Sequence, residues 1–94
     1  MKQAEWFYKL KVKKFIVITG EDGLTVRVET VWGGITVESP SIELAIREAL
    51  RLLIQNAKNR LLSPDTNPDL RQVYTARIAA ILAAWQDAGE EGEP

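Results

Sequence analysis

Hydrophobic and polar residues alternate along the first third of the chain. Between residues 10 and 19 the apolar side chains of one face recur at a period of two, and only Lys14 interrupts them. This face carries Leu10, Val12, Ile16 and Ile18. Such alternation predicts a β-strand with this face buried. Residues 20–23 (GEDG) are typical of a turn, and alternation returns over residues 24–30, so we predict a hairpin over residues 10–30.

The period of the apolar residues changes after the hairpin. Gly33-Gly34 indicates another turn, and residues 35–38 (ITVE) predict a short third strand. After Ser41, a suitable helix cap, apolar residues recur at three- and four-residue steps up to Ala57. Residues 63–68 (SPDTNP) interrupt the chain, and a second long helix is predicted over roughly residues 69–88, capped by Asn67.

These elements predict an α+β fold with the order β-β-β-α-α, preceded by a short N-terminal element. We expect a three-stranded antiparallel meander with the two long helices packed on one face. Residues 1–88 are predicted to form a single domain, and the acidic, glycine-containing residues 89–94 are predicted to be a disordered tail. Trp6-Phe7-Tyr8 either opens a helix or extends the first strand. The predicted core is Leu10, Val12, Ile16, Ile18, Leu24, Val26, Val28, Ile35, Val37, Ile46, Leu50, Leu53, Ile78, Ile81, Leu82 and Trp85.

Composition narrows the possible chemistry. The 94 residues are 46% hydrophobic and 27% charged, which is typical of one globular domain. The absence of histidine and cysteine excludes Ser-His-Asp and Cys-His catalysis, disulfides and the usual zinc sites. We expect neither enzymatic activity nor a cofactor or metal. The first residues do not fit a signal peptide, and the longest apolar run, residues 78–85, is far below the about 20 residues of a membrane span, so we expect a cytoplasmic protein.

Charged residues are unevenly distributed although the net charge is only −1. The first 20 residues carry five lysines against one glutamate, whereas residues 81–94 carry four acidic residues and no basic one. We place Lys9, Lys11 and Lys13 on one face of the first strand. Together with neighbouring residues they form the predicted partner-binding surface, Lys9, Lys11, Lys13, Arg27, Glu29 and Trp32. Such a surface fits a protein partner, whereas lysines beside Phe7 and Phe15 also fit single-stranded nucleic acid. The lysines are equally expected on a solvated sheet face or edge, where they prevent pairing with other strands.

Two acidic motifs have simpler interpretations than a catalytic or metal site. Asp65, Asn67 and Asp69 have the spacing that opens a calcium loop, but the later positions of such a loop are not matched, so we interpret Asn67 as a helix cap. The adjacent pair Glu21-Asp22 lies in the predicted hairpin turn, and we expect both side chains to be exposed.

The second long helix is apolar on nearly all sides. Five alanines between residues 76 and 84 replace the polar face that a surface helix carries. This face is either covered by the rest of the chain or forms a contact between copies. For the second case the predicted oligomer interface is Ala76, Ala80, Ala83 and Ala84.

About half of the chain, roughly residues 12–55, resembles the core of HicB-type antitoxins. The resemblance is carried by residues 23–28 (GLTVRV), 34–39 (GITVES) and 41–50 (SIELAIREAL). It implies a strand hairpin, a short strand and an Ala-xxx-Ala helix in a protein that neutralises a toxin, often as an oligomer. In size and architecture the chain is also similar to small virus-encoded inhibitors. We therefore expect a non-enzymatic protein that masks a macromolecular partner. A nucleic-acid-binding protein and a small oligomeric assembly protein are the alternatives.

Overall fold

The computed structural model describes residues 2–94 and confirms the predicted α+β fold. Helix α1 covers Lys2–Lys9 and resolves the N-terminal element as helical. Strands β1 (Val12–Gly20), β2 (Gly23–Thr30) and β3 (Gly33–Ser39) form one antiparallel sheet in the order β1-β2-β3. Helices α2 (Ile42–Leu62) and α3 (Pro68–Asp87) follow.

The turns lie close to their predicted positions. Glu21 and Asp22 are exposed and join β1 to β2. Val31 and Trp32, rather than Gly33-Gly34, form the second turn, because Gly33 already pairs with Thr30. The Thr30 hydroxyl fixes this turn, since it donates to the Gly33 carbonyl (3.0 Å) and accepts from the Trp32 backbone N–H (3.1 Å).

Both long helices begin at the predicted caps. The Ser41 hydroxyl accepts from the backbone N–H of Leu44 at 3.2 Å, and the Asn67 side chain accepts from that of Leu70 at 2.9 Å. These caps satisfy backbone donors that a helix leaves unpaired in its first turn. A capping role for Asn67 confirms the interpretation of the acidic motif around it.

The helices and the sheet enclose one core. Helix α2 packs on β2 and β3, α3 packs against α2, and α1 lies against β1 and α3. Two aromatic contacts hold α1 in place: Phe7 meets Phe15 with ring centroids 5.3 Å apart, and Trp6 meets Trp85 at 6.4 Å. The buried core consists of Leu10, Val26, Val28, Val37, Ala45, Ile46, Ala49, Leu50, Leu53, Ile54, Ile81 and Trp85.

Strand β1 departs from the predicted alternation. Its register against β2 shifts between Val12 and Lys14, so Lys13 is an extra residue of the bulge type. Because strand side chains alternate strictly, one extra residue moves all later side chains to the opposite face. The prediction that Ile16 and Ile18 are core residues is therefore wrong: they are 48% and 64% exposed.

The bulge defines two faces of the sheet. Pairing places Phe15 opposite Val28 and Val17 opposite Val26, and both β2 residues are buried under the helices. We call this side the inner face. Ile16 pairs with Arg27, and these side chains belong to the outer face, on the side away from the helices.

The C-terminal residues 89–94, for which the sequence predicts disorder, have defined contacts in this structure. The indole N–H of Trp6 donates to the Glu90 carboxylate at 3.2 Å, and the indole N–H of Trp85 donates to the Glu91 carbonyl at 3.4 Å. Both indoles are part of the packing between α1 and α3, which the sequence pattern does not specify.

Candidate functional site

The three lysines predicted on one strand face occupy three different settings. Lys9 ends α1 and lies 3.2 Å from Glu5. Lys11 lies in the turn before β1 with a φ of 60°, and its ammonium is 5.6 Å from the centroid of the Tyr8 ring. Lys13 is the bulge residue of β1. The prediction of a single lysine row is therefore wrong, because the first strand begins only at Val12.

The structure does bring Arg27 and Glu29 together, on the outer face. Arg27 Nε donates to Glu29 Oε1 at 3.3 Å, and Arg27 Nη1 donates to Thr36 Oγ1 at 3.4 Å. Lys14 Nζ lies 3.7 Å from the other carboxylate oxygen of Glu29. The Glu29 carboxylate thus lies between cations from two neighbouring strands.

Gly34 of β3 lies directly beside this cluster. A Cβ atom at Gly34 would lie 2.9 Å from Arg27 Nη2 and 3.4 Å from Glu29 Cγ. The guanidinium group therefore occupies space beside Gly34 that a side chain at this position would compete for. The absence of a side chain at Gly34 leaves room for Arg27 in its contacts with Glu29 and Thr36.

Exposed apolar side chains border the charged cluster. Ile16 stands opposite Arg27, and Ile18 follows on the same face of β1. We define the outer-face site by its residues: Lys14, Ile16, Ile18, Arg27 and Glu29. The sequence pattern assigned the two isoleucines to the core, and the one signal of the correct assignment was the lysine that interrupts their alternation.

The other predicted binding residues lie elsewhere. Trp32 is half-buried in the turn between β2 and β3 and packs against the core. On α3, Ala76, Ala80 and Ala83 are exposed, as an intermolecular contact requires. Ala84 is only 7% exposed and is therefore covered by its own chain, which contradicts its predicted place in an oligomer interface.

A groove of about 400 Å³ lies between β3 and the first half of α2 and contains Glu38, Glu48 and Arg51. A hydrogen bond from Arg51 lowers the pKa of Glu48, and the same bond raises the pKa of Arg51. Glu48 is therefore ionised at neutral pH. In this state it forms an ion pair with Arg51.

Residues 2–94 contain neither a candidate metal site nor a helix that could span a membrane. This part of the chain holds no group of three or more acidic side chains placed to bind a metal ion. None of its helices has both the length and the apolar character needed to cross a bilayer.

A scan against family models, a search of curated proteins and a search of solved structures find no match. The resemblance to HicB-type antitoxins stays a prediction.

Proposed function

We propose that this chain is a non-enzymatic interaction module that binds and masks a partner protein through the outer-face site. The observation that carries this proposal is the exposure of Ile16 and Ile18 beside the ordered pair Arg27–Glu29. Protein interfaces combine apolar side chains at their centre with polar groups at their rim, and arginine is enriched in them. Masking of a partner surface is the action expected of an antitoxin or a small inhibitor.

The charges of the outer face favour a protein over a nucleic acid. Lys14 and Arg27 are both close to Glu29, and Glu38 adds a second carboxylate to this face. The paired positions of this face therefore mix cations with anions, and the exposed bulge residue Lys13 adds one further cation. Nucleic-acid binding through phosphates requires a clear excess of positive charge, which the two carboxylates reduce. A partner that fits it presents an apolar patch bordered by both kinds of charge.

The packing of the two phenylalanines supports the same choice. A single-strand-binding surface stacks bases on exposed aromatic rings. Phe7 and Phe15, the predicted residues for this role, pack on each other at 5.3 Å and lie partly buried against the core. Tyr8 is the exposed ring of this region, and it already carries the Lys11 ammonium at 5.6 Å from its centroid.

Comparative capture tests the proposal. Tagged wild-type chain is incubated with lysate of its native host, with and without nuclease, beside two variants. Arg27→Ser removes the central cation of the outer-face site, whereas Arg60→Ser makes the same change on the exposed surface of α2. We expect wild type and Arg60→Ser to retain one stoichiometric protein that survives nuclease, and Arg27→Ser to lose it.

The purified captured protein is then titrated with each variant by calorimetry. Arg27→Ser is expected to bind at least about tenfold more weakly than Arg60→Ser. Three results would contradict the proposal. They are equal binding by the two variants, loss of the captured protein on nuclease treatment, and recovery of the chain alone. Recovery of the chain alone would instead favour the oligomeric assembly protein.

A further inference from the structure

Strand β1 is an edge of the sheet, because the strand order is β1-β2-β3. An edge strand has a row of backbone N–H and C=O groups without partners in the sheet. Natural proteins usually protect such edges with charged residues or proline. Residues 15–19 of β1 (FIVIT) contain neither.

The far half of β1 is also exposed on both faces. Ile16 and Ile18 are exposed on the outer face, and Val17 between them is 37% exposed on the inner face. Helix α1 contacts the near half of the strand, where Phe7 covers Phe15. The free edge therefore combines unpaired backbone groups with three consecutive apolar side chains.

We infer that β1 pairs antiparallel with β1 of a second copy, with Val17 opposite Val17, to form one continuous six-stranded sheet. This register places Ile16 of each copy opposite Ile18 of the other, and Phe15 opposite Thr19. A register centred on Ile16 would place Lys14 opposite Ile18. A register centred on Ile18 would place Ile16 opposite Gly20. Cross-strand pairs of β-branched residues stabilise a sheet, so the register centred on Val17 is preferred.

Charge complementarity identifies the second copy as the occupant of this edge. The near end of β1 carries Lys13 and Lys14, and the far end runs into the exposed turn residues Glu21 and Asp22. Antiparallel pairing of two identical strands brings the basic end of each beside the acidic turn of the other. In the register centred on Val17, Lys13 lies beside Glu21 of the other copy, and this contact occurs twice.

The symmetry of the pair also completes the inner face. A two-fold axis at Val17 places the helices of both copies on the same side of the sheet. Helix α1 of each copy then stands beside the half of the neighbouring β1 that its own α1 leaves uncovered. The outer-face sites of both copies lie together on the opposite side. This inference goes beyond the proposed function and does not depend on it.

Sedimentation equilibrium of the isolated chain over a concentration series tests the pairing. The wild type is expected to fit a monomer–dimer equilibrium. Val17→Lys places like charges opposite each other on the two-fold axis and is expected to weaken the dimer more than about tenfold. Val73→Lys makes the same change at a half-exposed position of α3 and is expected to leave the dimer unchanged. Circular dichroism confirms that both variants fold.

Exchanging the charges at Lys13 and Glu21 tests the register, and both residues are exposed, so no core residue is altered. Lys13→Glu and Glu21→Lys each place two like-charged contacts in the homodimer, so each alone is expected to dimerise roughly tenfold more weakly. An equimolar mixture has opposite charges at both contacts and is expected to recover wild-type affinity. A monomeric wild type, an open-ended polymer, dissociation by Val73→Lys, or a mixture no tighter than its components would overturn the inference. Because no partner protein is present, failure here is distinguishable from failure of the proposed function.

Discussion

The bulge at Lys13 reverses which side chains of β1 face the core, compared with simple alternation. It turns Phe15 toward the core and Ile16 toward solvent, whereas the sequence pattern favours the reverse. Replacing each residue by threonine tests this assignment, because threonine keeps a β-branched side chain suited to a strand. We expect Phe15→Thr to destabilise the fold strongly and Ile16→Thr to leave it nearly unchanged.

The size of the effect follows from what each side chain contacts. Removing a fully buried phenylalanine ring costs about 3–5 kcal/mol, and an aromatic pair such as Phe7–Phe15 contributes about 0.5–1.5 kcal/mol beyond its buried area. Phe15 is half-buried, so we expect Phe15→Thr to lower the free energy of unfolding by about 2 kcal/mol. Ile16 is 48% exposed, and Ile16→Thr is expected to change it by less than about 0.5 kcal/mol.

Urea denaturation followed by tryptophan fluorescence measures both values. It is done at a protein concentration where the chain is monomeric, so that strand pairing between copies does not contribute. With a slope of about 1.5 kcal/mol per molar urea, Phe15→Thr lowers the midpoint by about 1.3 M and Ile16→Thr by less than about 0.4 M. Equal shifts, or a larger shift for Ile16→Thr, would refute the bulge and with it the outer-face site.

Two further changes test contacts near the helix ends. The Arg71 guanidinium donates to the carbonyls of Leu61 (2.8 Å) and Ser63 (3.1 Å) at the end of α2, so we expect Arg71→Ala to cost about 1–2 kcal/mol in chemical denaturation. Arg71→Lys should lie between it and the wild type, and no loss in Arg71→Ala would contradict this role. Trp6→Phe removes the indole N–H that donates to Glu90 and is expected to raise amide hydrogen exchange in the C-terminal residues. Glu90→Gln keeps an acceptor and is expected to leave this exchange unchanged. Equal exchange in the two variants would contradict the contact.

The elements that the sequence predicts well are those fixed by local chemistry. The apolar stripe of α2, its cap at Ser41 and the cap of α3 at Asn67 each depend on residues within a few positions of one another. Amphipathic periodicity and side-chain capping act over the same short range, so sequence alone is sufficient to identify them. The turn at Glu21-Asp22 belongs to the same class.

The features that the sequence does not predict depend on contacts between distant residues. The bulge is defined by the pairing of β1 with β2, and the only indication of it in the nearby sequence is Lys14 among apolar residues. One residue of slip moved Ile16 and Ile18 from the predicted core to the outer-face site. The close approach of Arg27 to Gly34 likewise depends on the pairing of β2 with β3, whereas the sequence pattern indicates Gly34 only as a turn residue.

The most direct test of the proposed function is methyl NMR of the chain with isoleucine δ1 labels, titrated with the captured partner protein. If the partner covers the outer-face site, the methyl signals of Ile16 and Ile18 shift or broaden at stoichiometric partner. The signals of Ile46 and Ile81, which are fully buried in the core, stay in place. Unchanged Ile16 and Ile18 signals in a complex shown to have formed would contradict the claim that this face binds the partner.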